Sequence, residues 1–213
     1  VPNIAFMSYE EFQEYSRHGP SLQSFGIVVY VSDATRELIV MAPTETPEMT
    51  EPYIKQSMSF AIGDNARKYT WQTSGEKICS DFRTDQTVSA PNPVTACIYY
   101  TSPHQNNKKN IQWFIPAWQD CNRYFKDTTA VYNLIDVQIE KMIALEPYVW
   151  VKLRISGSAL NYWCSNANNQ NSDLNYSRCY YMNPTSSSNA QCKVSDYHYA
   201  RCFVNLYDRD TVN

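Results

Sequence analysis

The sequence is poor in glycine, in charge and in long apolar runs, and each shortage argues against a class of protein. Its 213 residues include five glycines and 18% charged side chains, with 18 Lys and Arg against 21 Asp and Glu. The scattered glycines form neither the G-x-x-x-x-G-K nor the G-x-G-x-x-G pattern of phosphate-binding loops. A net charge of -3 without clustered Lys and Arg argues against nucleic-acid binding. No apolar run approaches the ~18 residues of a membrane helix, so we expect no membrane insertion.

Histidine is also scarce, whereas cysteine is not. With only His18, His104 and His198, and with no CxxC or CxxxxC spacing, a zinc site would need ligands from distant loops. No G-x-S-x-G or comparable context singles out a nucleophile. We therefore expect no metal, no cofactor and no enzymatic activity. The seven cysteines occupy positions 79, 97, 121, 164, 179, 192 and 202, which leaves open both reduced thiols and one to three disulfides.

Two carboxylate pairs are the remaining candidates for hydrolytic chemistry. Asp81 and Asp85, or Asp136 and Glu140, could flank a cleft and act on a glycoside as acid and base. Any acidic chain offers such pairs, so solvated carboxylates are the simpler interpretation. A carboxylate-pair glycoside hydrolase is therefore the last in rank of three functional hypotheses, and the other two follow below.

Hydrophobic periodicity predicts a mainly β chain. Ser8 and Glu11 form a capping box that begins a short helix over residues 8–19. Residues 25–32 and 37–42 predict two strands joined by a four-residue turn, and three prolines predict a loop over residues 43–52. Further strands are predicted at residues 57–62, 66–73, 77–83, 94–101, 111–115, 148–155 and 194–207.

Residues 130–143 fit both a helix and a strand, and we favour the strand because the neighbouring segments are β. Strands recurring at intervals of about ten residues are typical of a β-sandwich or barrel. The sequence therefore predicts a single domain, residues 1–213, that folds as a β-barrel or sandwich with a short N-terminal helix and long polar loops.

Tyrosine is abundant, with 17 Tyr beside 8 Phe and 5 Trp, and twelve of the tyrosines follow residue 98. Many lie around residues 161–189, a stretch of mainly Asn, Ser, Tyr and Cys with only two charged side chains. We expect most of this stretch to be exposed loop. Tyr and Trp give stiff amphipathic contacts, and Asn and Ser give adaptable hydrogen bonds, as in loop-borne binding surfaces.

The stretch therefore predicts a recognition surface for a protein or a sugar. The candidate contact residues are Tyr162, Trp163, Asn166, Asn168, Asn169, Tyr176, Tyr180 and Tyr181. The alternative interpretation is that the tyrosines are half-buried strand residues and that Asn and Ser only solvate loops. The second functional hypothesis, a secreted lectin-like module, predicts disulfides such as Cys164–Cys179 and a glycan at the sequon residue Asn175.

The segments FMSYEEF and SFGIVVYVS near the start, and VWVKLRIS followed by polar loops, resemble the capsid spike of an astrovirus, the protruding receptor-binding domain of a non-enveloped virus. The resemblance lies in organisation, and no functional residue is carried over from it. It implies a compact β-barrel core and a homodimer on the virion surface, assembled in the host cytoplasm. It also implies attachment to a host-cell receptor, protein or glycan, and recognition by neutralising antibodies. Cytoplasmic assembly implies reduced thiols and an unmodified Asn175.

Overall fold

The computed structural model describes residues 26–45, 73–84, 93–102, 111–125, 128–152, 161–167, 176–181, 189–193 and 198–207. Their elements are β1 (Ile27–Ser32), β2 (Glu37–Glu45), α1 (Gly75–Thr84), α2 (Pro93–Ile98), α3 (Trp118–Tyr124), α4 (Thr128–Leu145), β3 (Asn161–Ala167), β4 (Tyr176–Tyr181), β5 (Asn189–Lys193) and β6 (Arg201–Asn205). The predicted helix 8–19 and the predicted strand 57–62 lie outside these ranges, as does the predicted strand 66–73 except for its last residue. Among the helices of these ranges, none is long and apolar enough to cross a bilayer.

The first predicted hairpin is confirmed. β1 pairs antiparallel with β2, with Val28 opposite Val40, and residues 33–36 form the turn. Arg36 takes a left-handed conformation with φ of 53°, and its N–H donates to the Asp33 carbonyl at 3.2 Å. The β-branched residues of both strands and the tight turn favour the same structure, which is why the local pattern suffices here.

β6 completes a three-stranded antiparallel sheet in the order β1-β2-β6. Met41 of β2 lies opposite Phe203 of β6. Phe114 forms a bridge to Phe203 with reciprocal backbone hydrogen bonds of 2.8 Å, so the predicted strand 111–115 contributes only this bridge. The predicted strand 194–207 is confirmed at β6.

A second antiparallel sheet has the order β3-β4-β5. A parallel bridge between Tyr162 and Tyr199 connects it to the segment that precedes β6, and the Trp163 N–H donates to the Tyr199 carbonyl at 2.9 Å. The N–H of Ser165 donates to the Pro116 carbonyl at 3.0 Å. β3 is therefore fixed to the core by backbone hydrogen bonds. Closure of the strands into a barrel or sandwich stays a prediction.

Three predicted strands are wrong in whole or in part, because helices occupy those positions. Residues 77–83 lie in α1, residues 94–98 lie in α2, and residues 130–143 lie in α4. In α4, Ile135 and Ile139 are buried four residues apart, whereas Val137 is exposed. This burial follows the 3.6-residue period of a helix and not the alternation of a strand.

The start of α1 explains why residues 77–83 are helical. The Ser74 hydroxyl accepts the N–H of Lys77 at 3.2 Å, as an N-cap residue does, and the Ser74 carbonyl accepts the N–H of Ile78 at 3.0 Å. Ile78 and Phe82 are both buried at a spacing of four. The few apolar residues of this seven-residue segment fit both the helical and the strand period, so the N-cap at Ser74 decides in favour of the helix.

β2 continues through Pro43, so the predicted loop over residues 43–52 is wrong for its first three residues. Pro43 lacks an N–H, but the pairing of β2 with β6 shifts register after Met41, where no ladder donor is required. The Pro43 carbonyl accepts hydrogen bonds from the N–H of Val151 at 3.0 Å and from the Arg201 guanidinium at 2.9 Å.

The predicted strand 148–155 is wrong over residues 148–152, of which the first two lie in a turn and the rest are neither helix nor strand. In a half-buried strand, Trp150 would alternate with the apolar Val149 and Val151 and would lie on the solvent side. Trp150 is in fact buried, and Tyr148 is fully exposed. The indole N–H of Trp150 donates to the Glu146 carboxylate at 3.0 Å, which satisfies its polar atom and lets the large ring pack inward.

Phe203 lies at the centre of the hydrophobic core. Its ring packs against Phe114, Tyr124 and Phe125 with centroid separations of 6.5, 6.0 and 6.3 Å. These rings come from β6, from the segment that bridges to it and from the end of α3. The core therefore joins the β1-β2-β6 sheet to α3 and to the segment that precedes it.

Candidate functional site

The β3-β4-β5 sheet gathers most of the predicted recognition residues. Six of them lie on two neighbouring strands: Tyr162, Trp163 and Asn166 on β3, and Tyr176, Tyr180 and Tyr181 on β4. Tyr162 lies opposite Tyr180, and Trp163 lies opposite Cys179. Asn168 and Asn169 lie outside the described residues. The expectation that residues 161–189 are mostly loop is wrong for β3 and β4.

The predicted exposure of Tyr162 and Trp163 is wrong, since the two side chains are only 3% and 2% exposed. The Tyr162 hydroxyl donates to the Glu45 carboxylate at 2.9 Å, and the Trp163 ring meets His198 edge-on with 4.7 Å between centroids. Neighbouring strand residues point to opposite faces, so β3 is covered on both faces here. Tyr162 is thus a strand residue, as the alternative interpretation has it, but it is buried and not half-buried.

β4 and β5 bring aromatic and polar positions together in continuous register. Tyr176, Arg178 and Tyr180 of β4 lie opposite Lys193, Gln191 and Asn189 of β5, respectively. We call Tyr176, Arg178 and Tyr180 the β4 row, because they occupy alternate positions of this strand. The predicted set omits Arg178 because it contains only aromatic and Asn side chains. The position of Arg178 between two tyrosines on alternate strand positions is the signal that identifies it.

The cysteines whose side chains the structure describes are buried free thiols, at positions 79, 97, 121, 164 and 202. The sulfur atoms of Cys97 and Cys202 lie 2.7 Å apart, and Cys121 is hydrogen-bonded to Cys164. Burial raises the pKa of Cys79 to about 12 and raises the pKa of Cys97 well above its ordinary value. The thiolate is the nucleophilic form, so burial keeps both groups in the unreactive thiol form.

The Cys164–Cys179 bridge of the lectin-like hypothesis is not formed. Cys164 is a free thiol beside Cys121, and it is Trp163 that lies opposite Cys179 in the strand register. Adjacent residues of a strand face opposite sides, so this register does not direct Cys164 towards Cys179.

The predicted carboxylate pairs are engaged with lysines where the structure describes them. Asp81 pairs with Lys77 at 2.5 Å within α1, and Asp85 lies outside the described residues. Asp136 and Glu140 of α4 both face Lys152, at 3.8 and 2.5 Å. Burial raises the pKa of Asp136. An ion pair on a helix surface is the simpler interpretation of this arrangement.

Asp120 is a buried carboxylate that ties two segments together. One of its oxygens accepts the backbone N–H of Gly75 at 2.6 Å and that of Ala117 at 2.9 Å, and the other pairs with Arg123 at 3.2 Å. Arg123 also pairs with Glu37 of β2 at 2.6 Å. The bond to Ala117 is the reciprocal half of a capping box at the start of α3. The network therefore links the starts of α1 and α3 to the first sheet.

Gly75 allows the close approach that this network needs. A Cβ atom at position 75 would overlap the backbone of Ile115 and Ala117. Backbone atoms cannot move aside as a flexible side chain can, so a larger residue at position 75 would separate α1 from the segment that carries Asp120.

Arg201 is a buried charge whose hydrogen bonds go to backbone carbonyls. Its Nε donates to Ala42 at 2.9 Å, and one terminal nitrogen donates to Pro43 at 2.9 Å and to Val151 at 3.0 Å. Within the described residues the other terminal nitrogen has no hydrogen-bond partner. Arg201 thus satisfies the carbonyls where the β2–β6 ladder is interrupted, which is a structural role.

Over the described ranges, no group of three or more His, Cys, Asp or Glu residues is arranged to hold a metal ion. Comparison with known proteins gives no relative: no protein family, no curated protein and no solved structure matches this chain.

Proposed function

We propose that this chain is a non-enzymatic attachment domain, of the kind found in astrovirus capsid spikes, that binds a host-cell receptor through its β3-β4-β5 sheet. The observation that carries the proposal is the β4 row, which alternates two tyrosines with an arginine opposite the polar residues of β5. Tyr and Arg are enriched among the residues that dominate binding energy at protein interfaces. Asn, Gln and Lys on the neighbouring strand supply hydrogen bonds beside them.

β3 is anchored to other parts of the described structure. β3 is bonded through its backbone to Tyr199 and to Pro116, and it buries Tyr162 and Trp163. The proposal therefore assigns β3 to support and assigns β4 and β5 to contact. Asn168 and Asn169, which lie in sequence between β3 and β4, belong to the proposed contact set.

In this proposal the chain acts on the virion surface as a homodimer after assembly in the host cytoplasm. Neutralising antibodies act by covering the same sheet. The receptor is a protein or a glycan, because aromatic side chains beside Asn and Gln suit either a protein surface or a sugar ring.

Single alanine substitutions of the β4 row test the proposal. The full chain is labelled, and its equilibrium binding to a panel of vertebrate cell lines is measured for Tyr176→Ala, Arg178→Ala and Tyr180→Ala. At least one substitution is expected to weaken binding by about tenfold or more, as loss of a dominant contact residue does. Tyr148→Ala is the matched control, because Tyr148 is fully exposed and lies outside the sheet.

The proposal fails if all three variants bind as the wild-type chain does while their circular dichroism is unchanged. It also fails if the wild-type chain binds no cell line in a saturable manner. Equal weakening by Tyr148→Ala would place the contact surface elsewhere and contradict the assignment to the β4 row.

A further inference from the structure

Two cysteines far apart in sequence meet in the core. Cys97 of α2 and Cys202 of β6 are separated by 105 positions, and their sulfur atoms lie 2.7 Å apart with neither side chain exposed. A disulfide bond is about 2.05 Å long, so the sulfur atoms need to approach each other by only about 0.7 Å. α2 packs against β6, which holds the two thiols in this position.

We propose that Cys97 and Cys202 form a disulfide when the chain folds in the presence of a small-molecule disulfide, and that this bond ties α2 to β6. The inference rests on the thiol geometry and is independent of the proposed attachment function. Cys79 is buried and interacts electrostatically with both thiols, but it has no sulfur partner at a comparable distance among the described residues. The pair is therefore specified within a group of three cysteines.

The chemistry is thiol–disulfide exchange, with oxidised glutathione as a representative oxidant. One protein thiolate attacks a sulfur of the oxidant, forms a mixed disulfide and releases one glutathione thiolate. The other protein thiolate then attacks the protein sulfur of that mixed disulfide and releases the second glutathione. Two protein thiols thereby lose two protons and two electrons, and one glutathione disulfide is reduced to two thiols.

Burial determines when this exchange can occur. Neither sulfur is in contact with solvent, so an oxidant reaches the pair only before α2 docks on β6 or during a transient opening. Burial and the contact with Cys202 also raise the pKa of Cys97, which disfavours the attacking thiolate in the folded state. A chain that folds reduced is expected to stay reduced, and a chain that folds with oxidant is expected to be cross-linked.

Peptide mapping tests the pair directly on the full chain. The denatured, reduced chain is refolded with a mixture of reduced and oxidised glutathione, the remaining thiols are alkylated, and the product is digested with trypsin without reduction. Cleavage after Arg83, Lys108, Arg201 and Arg209 places Cys97 alone in peptide 84–108 and Cys202 alone in peptide 202–209. These two peptides are expected as one linked species that separates on reduction.

Thermal unfolding provides the second readout. A disulfide that closes a loop of about 100 residues is expected to raise the Tm by about 10 °C over the reduced chain. Cys97→Ser and Cys202→Ser should each abolish this rise, whereas Cys79→Ala, the matched control from the same buried group, should retain it. If a variant fails to refold, the peptide map of the wild-type chain decides alone. Alkylated Cys97 in the oxidised chain, or Cys97 linked mainly to another cysteine, would overturn the proposal.

Discussion

At the scale of single residues, Asp120 carries more of the structure than its place in the sequence indicates. Its carboxylate satisfies two backbone donors, at Gly75 and Ala117, and it shares Arg123 with Glu37. A buried donor without an acceptor costs about 1–3 kcal/mol, so one side chain controls several polar groups. The sequence shows Asp120 only as one acidic residue near the start of a short segment.

Asp120→Ala should lower the free energy of unfolding by about 2–4 kcal/mol, because it leaves two buried N–H groups and part of the Arg123 charge without partners. Urea unfolding followed by tryptophan fluorescence measures the change. Asp81→Ala is the matched control, since Asp81 pairs with an exposed lysine and its loss should cost less than about 1 kcal/mol. Similar losses for both variants would contradict the assigned role of Asp120.

The pKa of Asp120 predicts the sign of a pH effect. Burial raises this pKa above the ordinary 3.8, although the N–H groups of Gly75 and Ala117 act in the opposite direction. A raised pKa means that the folded state binds the proton more tightly than the unfolded state does, so this group's contribution to stability falls as the pH rises through the interval between the two values. Asp120→Asn removes this contribution. The stability of the wild-type chain relative to Asp120→Asn should decline as pH rises from 3.8, and a rising difference would contradict the assignment.

At the scale of elements, the burial pattern of α4 decides between a helix and a strand for residues 130–143. Ile139 is fully buried, whereas Val137 is 46% exposed. A strand would place these two residues on one face, and a helix separates them by 200°. Both residues are β-branched and favour strands on their own, so packing and not intrinsic propensity makes this segment a helix.

Ile139→Ala should therefore cost about 2–5 kcal/mol of stability, as removal of a buried branched side chain does. Val137→Ala is expected to change stability by less than about 1 kcal/mol and serves as the matched control. Chemical denaturation of both variants gives the comparison. Equal destabilisation would support the strand that the sequence pattern favours.

The elements also show which parts of the fold can be predicted from the sequence. β1, β2 and their turn are predictable, because alternation, β-branched residues and a tight turn agree within 20 residues. α1 is not predictable in this way, because its apolar residues fit both a helix and a strand. The Ser74 cap and the docking of α1 against Ile115 decide for the helix, and neither belongs to the hydrophobic pattern of residues 77–83. The Tyr- and Asn-rich composition identifies the segments of β3 and β4 as a group, but it predicts exposure for Tyr162 and Trp163. Their burial depends on contacts with Glu45 and His198, which lie far away in the sequence and outside the Tyr- and Asn-rich stretch.

At the scale of the whole molecule, the described core combines the β1-β2-β6 sheet, the helices and β3, whereas β4 and β5 supply the proposed contact surface. The bridge from Tyr162 to Tyr199 and the bond from Ser165 to Pro116 fasten the second sheet through β3 to the segments that precede β6 and α3. A binding strand held by a fixed neighbour loses little conformational freedom on association, which favours affinity. The β4 row would thus present Tyr176 and Tyr180 on a supported strand.

The proposed homodimer predicts a solution mass of twice the 24.7 kDa of one chain. Light scattering coupled to size-exclusion chromatography measures it, in reductant so that intermolecular disulfides do not contribute. A dimer that persists on dilution to micromolar concentration is expected for a spike assembled from two copies. A monomer throughout that range would contradict the dimer while leaving the attachment surface to be tested by itself.

The central claim is that the folded chain attaches to cells through the β4 row, and equilibrium cell binding tests it most directly. The labelled wild-type chain and the triple variant Tyr176→Ala, Arg178→Ala, Tyr180→Ala are titrated in parallel on cells and on immobilised glycans, after circular dichroism has shown that both are folded. The account predicts saturable binding of the wild-type chain, competition by unlabelled chain, and loss of binding in the triple variant. Undiminished binding of a folded triple variant, or no saturable binding of the wild-type chain to any surface, would contradict it.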